Sequence, residues 1–314
     1  MSKRDLLSLS GLSAGEIGDL INRARHYKAE PLTAEESSLL QGKSIGLLFE
    51  KPSTRTRVSF EVAIHRLGGH PLFLSQNDLQ MKRGETIADT ARVLGSYLGA
   101  LIVRTFQHTQ LEEWAALSPI PIINGLSDCY HPCQILADLL TISEHRGRLK
   151  GLNLVFIGDG NNVAHSLMIG GAKMGMHVTV ASPSGFMPNP DIVKQAMEFA
   201  KESGSKIVVT DDPVHAAINA DILYTDTWIS MGDEADTVER LRQFQPYQLN
   251  QQIVEKARPD LLVMHCLPAH RGKEITDEVI DGRHSVIFQQ SANRLPIHQA
   301  ILEWIFYVIA TRNG

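Results

Sequence analysis

Short apolar runs alternate with amphipathic segments along the whole chain. Runs rich in Val, Ile and Leu predict buried strands, because the strands of a parallel sheet are covered on both faces. These runs are Ser44–Phe49, Pro71–Ser75, Ala100–Arg104 and Pro121–Asn124 in the first half, and Leu152–Gly158, His177–Ala181, Lys206–Thr210, Asp221–Thr225, Leu261–His265 and Ser285–Phe288 in the second. The alternation predicts an α/β fold with two domains, each a mostly parallel sheet flanked by helices.

A helix predicted over Pro132–Arg148 connects the two groups of strands. A proline opens it and a glycine lies near its end, as is typical of helix termini. We therefore expect a first domain over residues 1–148 and a second over residues 149–291. The last segment, 292–314, is predicted as a helix that is apolar around much of its circumference, so we expect it to pack back on the first domain.

The composition fits this division and limits the possible partners. The chain has 314 residues, of which 43% are hydrophobic and 21% are charged, enough for two domains of about 150 residues. A net charge of −5 and a pI near 6.2 argue against nucleic acid or an anionic membrane as the main partner. No apolar run approaches the roughly 18 residues of a membrane span, the N-terminus lacks a signal-peptide core, and the three cysteines fit a reducing compartment. We therefore expect a cytoplasmic protein.

The segment Lys51-Pro-Ser-Thr-Arg-Thr-Arg57 places three cations where a strand ends and a helix begins. A helix start carries unpaired N–H groups and partial positive charge, so this crowding is unfavourable unless an anion binds there. A phosphate is the simplest such anion. The alternative is that Ser53 or Thr54 is an ordinary N-cap and the basic side chains point into solvent. A Walker pattern is absent, so nucleoside triphosphate hydrolysis has no support.

Further polar side chains follow other strands of the first domain. Arg104 ends one strand, and His131 and Gln134 open a helix after another. Alone, Arg104 is typical of a surface residue and His131 of a helix cap, but together the three side chains could clamp an acyl phosphate. Cys129 and Cys133 flank His131 without the spacing of a zinc site, so we expect no metal there.

The second domain opens with a glycine-rich turn that only partly matches a dinucleotide fingerprint. Gly158 and Gly160 fit the pattern, but Val163 stands where Gly or Ala is required, and no ribose-binding carboxylate ends the next strand. We therefore do not expect a nicotinamide cofactor. Asn161 and Asn162 instead offer uncharged hydrogen bonds at a helix start, which suit the carboxylate of an amino acid.

Two later strand ends carry groups suited to an amine. Asp226 and Ser230 share one loop and could hold a cationic amine, although an Asp in a turn often accepts only local backbone hydrogen bonds. Cys266 follows a buried strand, where a lone cysteine is usually a small packed hydrophobe.

Taken together, these segments resemble the aspartate/ornithine carbamoyltransferase family. The matching motifs follow one another in chain order, and the resemblance runs from Leu6 to the final helix. The motifs are Ser53-Thr-Arg-Thr-Arg57, Val103-Arg104-Thr-Phe106, His131-Pro-Cys-Gln134, Asp226-Thr-Trp-Ile-Ser-Met-Gly232 and His265-Cys-Leu-Pro268. The resemblance implies an enzyme of arginine metabolism that transfers a carbamoyl group from carbamoyl phosphate to L-ornithine, with no metal or organic cofactor.

The resemblance also implies which residues serve each substrate, with carbamoyl phosphate on the first domain and ornithine on the second. The implied carbamoyl-phosphate ligands are Ser53, Thr54, Arg55, Thr56, Gln80, Arg104, His131, Gln134, Cys266, Leu267 and Arg294. The implied ornithine ligands are Asn162, Asp226, Ser230 and Met231. The implied catalytic residues are Arg55, Arg104, His131, Asp226 and Cys266. Gln80 is similar to a residue that reaches a neighbouring subunit's site, which implies a homotrimer, or several trimers, with shared active sites.

Three alternatives differ in the acceptor or in the activity itself. Putrescine has no α-carboxylate for the Ser230-Met231-Gly232 segment to hold. Acetylornithine could be accommodated without a new charge, but the segment resembles the enzymes of free amino acids better. A non-catalytic relative would have kept the anion pocket alone, and it would not need Asp226 and Cys266 beside an amine. The sequence does not assign Lys82 or Arg83, and it does not reveal the metabolic direction.

Overall fold

The computed structural model describes residues 3–75, 79–229 and 237–311. The chain divides into two compact units, one of Met1–Ala137 with Asn293–Gly314 and one of Asp138–Ala292. The boundary expected after residue 148 differs from this division, which falls inside the helix Pro132–Arg146. The first residues of the helix belong to one unit and the rest to the other.

Unit 1 contains a four-stranded parallel sheet in the order β2-β1-β3-β4. Its strands are β1 Ser44–Phe49, β2 His70–Ser75, β3 Ala100–Arg104 and β4 Ile122–Leu126. Its helices are α1 Ala14–Ala29, α2 Thr54–Arg66, α3 Ile87–Tyr97, α4 His108–Leu117, the start of α5 Pro132–Arg146, and α13 Arg294–Thr311, with a short 3-10 helix at Gln80–Arg83. The four strands predicted here are confirmed within two residues at each end.

The last helix, α13, packs on α1 and α2 of unit 1, as predicted. Its apolar side is buried, with Ile297, Ile301 and Ile305 each 0% exposed. Burying one such side chain contributes about 1.5–3 kcal/mol. Polar contacts hold its start and its middle, since Lys28 Nζ donates to Asn293 Oδ1 at 2.8 Å and the Tyr27 hydroxyl donates to Glu303 at 2.8 Å.

Unit 2 contains a five-stranded parallel sheet in the order β7-β6-β5-β8-β9. Its strands are β5 Asn153–Ile157, β6 His177–Ala181, β7 Ile207–Thr210, β8 Ile222–Thr225 and β9 Leu262–His265. Its helices are the rest of α5, α6 Asn162–Lys173, α7 Pro190–Ser203, α8 Pro213–Ala216, α9 Thr237–Phe244, α10 Gln251–Val254, α11 Asp277–Ile280 and α12 Ile287–Ala292. No helix in the described ranges has both the length and the hydropathy of a membrane span.

One predicted strand, Ser285–Phe288, is wrong. Ser285 forms only an isolated bridge to Val263, and helix α12 begins at Ile287. The apolar run is short, and the polar residues after it continue a helix. In that helix Ile287 and Gln290 are buried, whereas Phe288 is 63% exposed, which is a helical rather than an alternating pattern of burial.

Each sheet has all its strands parallel, so within each unit the carboxyl ends of the strands meet at one edge. Open α/β sheets bind their ligands at that edge. Most of the predicted site residues of each unit follow these strand ends.

Candidate active site

The basic turn after β1 begins helix α2 in a conventional way. Ser53 is the N-cap, and its hydroxyl accepts a hydrogen bond from the Thr56 N–H at 3.3 Å. The N-cap interpretation is therefore correct for Ser53. The cap satisfies one helix N–H group but adds no negative charge, so it leaves the electrostatic argument for an anion in place.

Two of the three cations of the turn have partners in unit 1 that are not ligands. Arg57 donates to Glu61 at 2.9 Å, and its guanidinium lies 3.6 Å from the centre of the Phe73 ring. The Lys51 ammonium lies 4.6 Å from the centre of the Phe106 ring. Arg55, which is half-buried, is the cation of this turn that lowers the pKa of the buried His131.

A group of polar side chains, all buried except the half-buried Arg55, lies near the strand ends of unit 1, and we call it the anion cluster. Arg294, at the start of α13, donates from Nη1 to Gln134 Oε1 at 2.7 Å and from Nη2 to Thr56 Oγ1 at 2.9 Å. All three residues are at most 3% exposed. The anion cluster consists of Arg55, Thr56, Arg104, His131, Gln134 and Arg294.

The positive charge of the anion cluster affects the protonation of His131. Burial lowers the pKa of His131 well below its usual value, and the cations Arg294, Arg104 and Arg55 and the neighbouring His298 act in the same direction. His131 is therefore a neutral imidazole near pH 7. Three guanidinium groups around a neutral ring form a concentrated positive site, which a phosphate would neutralise with charge-assisted hydrogen bonds.

A second group lies at the strand ends of unit 2 and centres on Asp226 and Cys266, which we call the thiol–carboxylate pair. The Cys266 thiol donates to Asp226 Oδ1 at 2.9 Å, and Asn161 Nδ2 donates to Asp226 Oδ2 at 2.9 Å. Asn161 also caps α6 by accepting from the Val163 N–H at 2.9 Å. Asn162 is the first residue of α6. Asn161 therefore orients the carboxylate, a role that sequence analysis did not assign to it.

The turn that carries Cys266 is held by a buried histidine. His265 is 0% exposed, and its Nδ1 accepts from the Leu267 N–H at 2.8 Å. Its Nε2 lies 3.3 Å from Glu274 Oε1, so the proton is assigned to Nε2. Leu267 has a φ of +58°, a value that branched residues rarely adopt. Residues with such strained backbone angles are concentrated at functional sites. Glu274 carries no sequence signal, because it follows the motif in an irregular segment.

A fully buried hydrogen-bond network connects the strands that carry Asp226 and Cys266 to neighbouring helices. Gln290 accepts from the His265 N–H at 3.0 Å and donates to Asp138 Oδ1 at 2.8 Å and to the Tyr224 hydroxyl at 3.0 Å. Tyr224 in turn donates to Asp138 Oδ2 at 3.0 Å. Burial, and next the Asp138 carboxylate, raise the pKa of Tyr224 well above its usual value, so its hydroxyl stays protonated. The network ties β8, β9, α5 and α12 together.

The glycine-rich turn after β5 approaches protein rather than leaving room for a cofactor. A Cβ added to Gly160 would lie 2.2 Å from Pro188 N and 2.5 Å from the carbonyl carbon of Met187. The Gly160 N–H donates to the Phe186 carbonyl at 2.8 Å. The close approach that a pyrophosphate makes in a dinucleotide fingerprint is made here by the chain's own segment.

Among the described residues, one group of side chains has the spacing of a metal site. Asp226, His265 and Cys266 each offer a ligand atom, and these atoms lie within 4.8 Å of one another. The ring nitrogens of His265 already contact Leu267 and Glu274, and the thiol donates to Asp226. A metal ion would therefore have to replace hydrogen bonds that the protein already makes.

The remaining predicted ligands are placed as follows. Thr54 is exposed at the start of α2, and Gln80 is exposed at the start of the 3-10 helix Gln80–Arg83. Ser230 and Met231 lie outside the described residues, as does the side chain of Lys82. Of the other predicted unit 1 ligands, all but the N-cap Ser53 lie in the anion cluster, and Asp226 and Cys266 lie together in unit 2.

Two family models match the chain, one in each half. The model described as "Aspartate/ornithine carbamoyltransferase, carbamoyl-P binding domain" matches residues 4–144. The model described as "Aspartate/ornithine carbamoyltransferase, Asp/Orn binding domain" matches residues 150–305. Together they cover most of the chain.

Individual relatives and solved structures agree with the family models. The chain is 54% identical to the ornithine carbamoyltransferase of Anoxybacillus flavithermus, with 95% of each chain covered. It is similar to the solved structure of the ornithine carbamoyltransferase of Pyrococcus furiosus, with a TM-score of 0.91, 50% identity and 96% of each chain covered. The anabolic enzyme of Campylobacter jejuni has a TM-score of 0.90 at 40% identity, covering 96% of this chain and 98% of that chain.

Proposed function

Since the chain belongs to the aspartate/ornithine carbamoyltransferase family, we propose that it transfers the carbamoyl group of carbamoyl phosphate to the δ-amine of L-ornithine, giving L-citrulline and phosphate. The observation that carries the choice is the pairing of chemistries: an arginine-rich anion cluster in one unit and a thiol–carboxylate pair in the other. The first suits a phosphate, and the second suits an amine that must change its protonation state.

The anion cluster is proposed to bind carbamoyl phosphate. The hydroxyls and N–H groups at the start of α2 and the Arg55 guanidinium hold the phosphate, as a helix N-terminus favours. Arg104 lies between phosphate and carbonyl, and Gln134 and His131 bind the carbamoyl group. Because the pKa of His131 is well below its usual value, the ring acts as a neutral hydrogen-bond donor and not as an imidazolium. The proposed phosphate ligands are Ser53, Thr54, Arg55, Thr56, Arg104 and Arg294.

The thiol–carboxylate pair is proposed to receive the δ-ammonium of ornithine. The ammonium must lose a proton before attack, because the nitrogen lone pair is the nucleophile, and this first proton passes to the Asp226 carboxylate and from there to solvent. The Asp226 carboxylate is 8% exposed and accepts from the Cys266 thiol. The carboxylate attracts the ammonium, and the burial of the site favours loss of its charge. Asn162 is proposed to bind the amino-acid carboxylate, and Ser230 and Met231 remain predicted ligands. Cys266 and Leu267 also remain predicted ligands of the carbamoyl group.

The chemical step follows from these assignments. The neutral amine attacks the carbamoyl carbon, a C–N bond forms, and negative charge develops on the carbonyl oxygen. His131, Arg55 and Arg104 stabilise that oxyanion. The C–O bond to phosphate then breaks, and a proton passes from the attacking nitrogen to the departing phosphate, which leaves as the hydrogenphosphate dianion. The arginines neutralise its charge throughout.

We further propose that the active enzyme is a cytoplasmic homotrimer, or an assembly of trimers, in which Gln80 reaches a neighbouring subunit's site. The exposure of Gln80 on a short 3-10 helix supports this role. Light scattering should give a mass of three times 34.7 kDa, or a multiple of it. Co-expressed Arg55→Ala and Gln80→Ala chains should recover activity that neither variant has alone. A monomer with full activity would contradict the proposal.

The substrate assignment is tested by offering carbamoyl phosphate with ornithine, putrescine, aspartate or acetylornithine and separating the products by chromatography. Of the four amines, we expect only ornithine to give a carbamoylated product. Activity confined to another amine would overturn the choice of acceptor. Binding of carbamoyl phosphate without transfer to any amine would identify a non-catalytic relative instead.

A further inference from the structure

His298 is a fully buried histidine that lies beside the anion cluster without belonging to it. It is 0% exposed and lies one helical turn after Arg294 on α13, so the two side chains share a face of the helix. His298 Nε2 lies 3.5 Å from Arg294 Nε, at the long end of the hydrogen-bond range. Because an arginine nitrogen can only donate, the facing imidazole nitrogen is the acceptor.

The His298 ring is fixed by an aromatic neighbour. It stacks on Phe60 with 3.6 Å between the ring centroids and an angle of 8° between the planes. Phe60 is itself 0% exposed and lies on α2, the helix that also presents Thr56 to Arg294. The helices α2 and α13 therefore contact each other through Phe60 and His298 and through Thr56 and Arg294, and both contacts involve a neighbour of the Arg294 guanidinium.

The charge state of His298 suits an acceptor. Burial, and next the Arg294 guanidinium, lower the pKa of His298 well below its usual value, and these effects outweigh the backbone of Ser59, which acts in the opposite direction. The ring is therefore neutral near pH 7. A protonated ring would repel Arg294 and lose the lone pair that faces its Nε.

We propose that His298 is a positioning residue that fixes the guanidinium of Arg294 toward the phosphate of carbamoyl phosphate. Gln134 accepts from Nη1, Thr56 accepts from Nη2 and His298 accepts from Nε, so all three nitrogens of Arg294 are oriented. Preorganisation of this kind lowers the cost of binding and affects affinity more than turnover. The inference rests on the proposed function, because it assigns Arg294 to the carbamoyl-phosphate site.

Three substitutions separate positioning from packing. His298→Phe keeps an aromatic ring on Phe60 but removes the acceptor, and His298→Leu removes both. His298→Gln restores an acceptor in a side chain of similar length. The matched control is Ile301→Val, a change of a 0% exposed residue on the same helix away from Arg294. Carbamoyl phosphate binding is measured by calorimetry, and steady-state kinetics and thermal melts are recorded for each variant.

We expect His298→Phe and His298→Leu to raise Kd and KM for carbamoyl phosphate about tenfold, the loss of one hydrogen bond to a charged group, with kcat changed less than about threefold. His298→Gln should stay within about threefold of wild-type affinity, and Ile301→Val should lower the melting temperature alone. Unchanged KM in His298→Phe, or a loss in His298→Gln equal to that in His298→Phe, would overturn the inference. If the wild type binds carbamoyl phosphate but transfers nothing, the proposed function fails, and the titrations still decide the role of His298.

Discussion

The anion cluster of unit 1 and the thiol–carboxylate pair of unit 2 are built on opposite electrostatic principles. The cluster brings three arginines from distant parts of the chain around a histidine that burial and those arginines keep neutral. The pair contains a carboxylate and a thiol that share one hydrogen bond. The first suits a substrate of fixed negative charge, and the second suits a group that must give up a proton.

The two regions also differ in what holds them. In the anion cluster the side chains that would bind ligand orient one another, since Arg294 contacts Gln134 and Thr56 directly. In unit 2 other side chains orient the reactive groups, with the half-buried Asn161 on Asp226 and the buried His265 on the Cys266 turn. Substitutions should therefore affect substrate affinity in unit 1 and turnover in unit 2.

The largest effect is expected at Arg55, which lies two residues before a natural control. Arg55→Ala should lower kcat/KM about 10³-fold, because it removes a charge-assisted contact to the phosphate and the oxyanion. Arg57→Ala should remain within about threefold of wild type, because Arg57 contacts Glu61 and Phe73. Steady-state assays and circular dichroism check both variants. Near wild-type turnover in Arg55→Ala, or an equal loss in Arg57→Ala, would contradict the assignment of Arg55 to the substrate and of Arg57 to the protein's own structure.

A second comparison uses the two aspartates at opposite ends of β8. Asp226→Asn should lower kcat about 10²-fold, because the amide cannot accept the proton of the ammonium and has no negative charge to attract it. Asp221, at the amino end, accepts from the Asn153 N–H at 2.8 Å and pairs with Arg258 at 3.2 Å. Asp221→Asn should cost stability while kcat stays close to wild type. Equal losses of kcat in both variants would show that the effect comes from the strand and not from the site.

A smaller effect is expected at Asn161, whose two roles can be separated. Asn161→Ser keeps an N-cap for α6 but loses the hydrogen bond to Asp226, so kcat should fall about tenfold with little change in stability. Asn161→Ala loses both and should in addition lower the free energy of unfolding by about 1 kcal/mol. Kinetics and urea denaturation distinguish the two. Wild-type kcat in Asn161→Ser would rule out the orienting role.

The smallest effect concerns the pH dependence of stability. The pKa of His131 is lowered in the folded state, so the unfolded chain takes up the proton first as the pH falls, and stability decreases below the usual pKa of about 6.5. Between pH 7 and pH 6, His131→Gln should reduce that loss by about 0.7 kcal/mol. Urea denaturation at the two pH values measures it. A loss as steep in the variant as in the wild type would mean that the ring is protonated in the folded protein.

Most of the fold follows from local patterns in the sequence. Nine of the ten predicted strands match because each is an apolar run bounded by turn residues, as at Ala100–Arg104 and His177–Ala181, whose ends are the observed ones. Ser285–Phe288 failed because three apolar residues do not distinguish a strand from a buried helical turn. The domain boundary lies inside α5, where the helical pattern of the sequence continues without a break.

The candidate site divides in the same way. Arg55, Arg104, Asp226 and Cys266 were singled out in the sequence because they follow predicted strands and belong to motifs of the family, and their roles stay predictions. Glu274, Gln290 and His298 were not found, because their roles depend on burial and on contacts between segments far apart in the chain. No local periodicity encodes such contacts.

The division of labour between the two regions is tested most directly by calorimetric titration of carbamoyl phosphate into the wild type, Arg55→Ala and Asp226→Asn. We expect Arg55→Ala to bind carbamoyl phosphate at least tenfold more weakly than the wild type. Asp226→Asn should bind it with an affinity close to that of the wild type, although its kcat with ornithine is lowered. Wild-type affinity in Arg55→Ala, or an equal loss of affinity in both variants, would contradict the account.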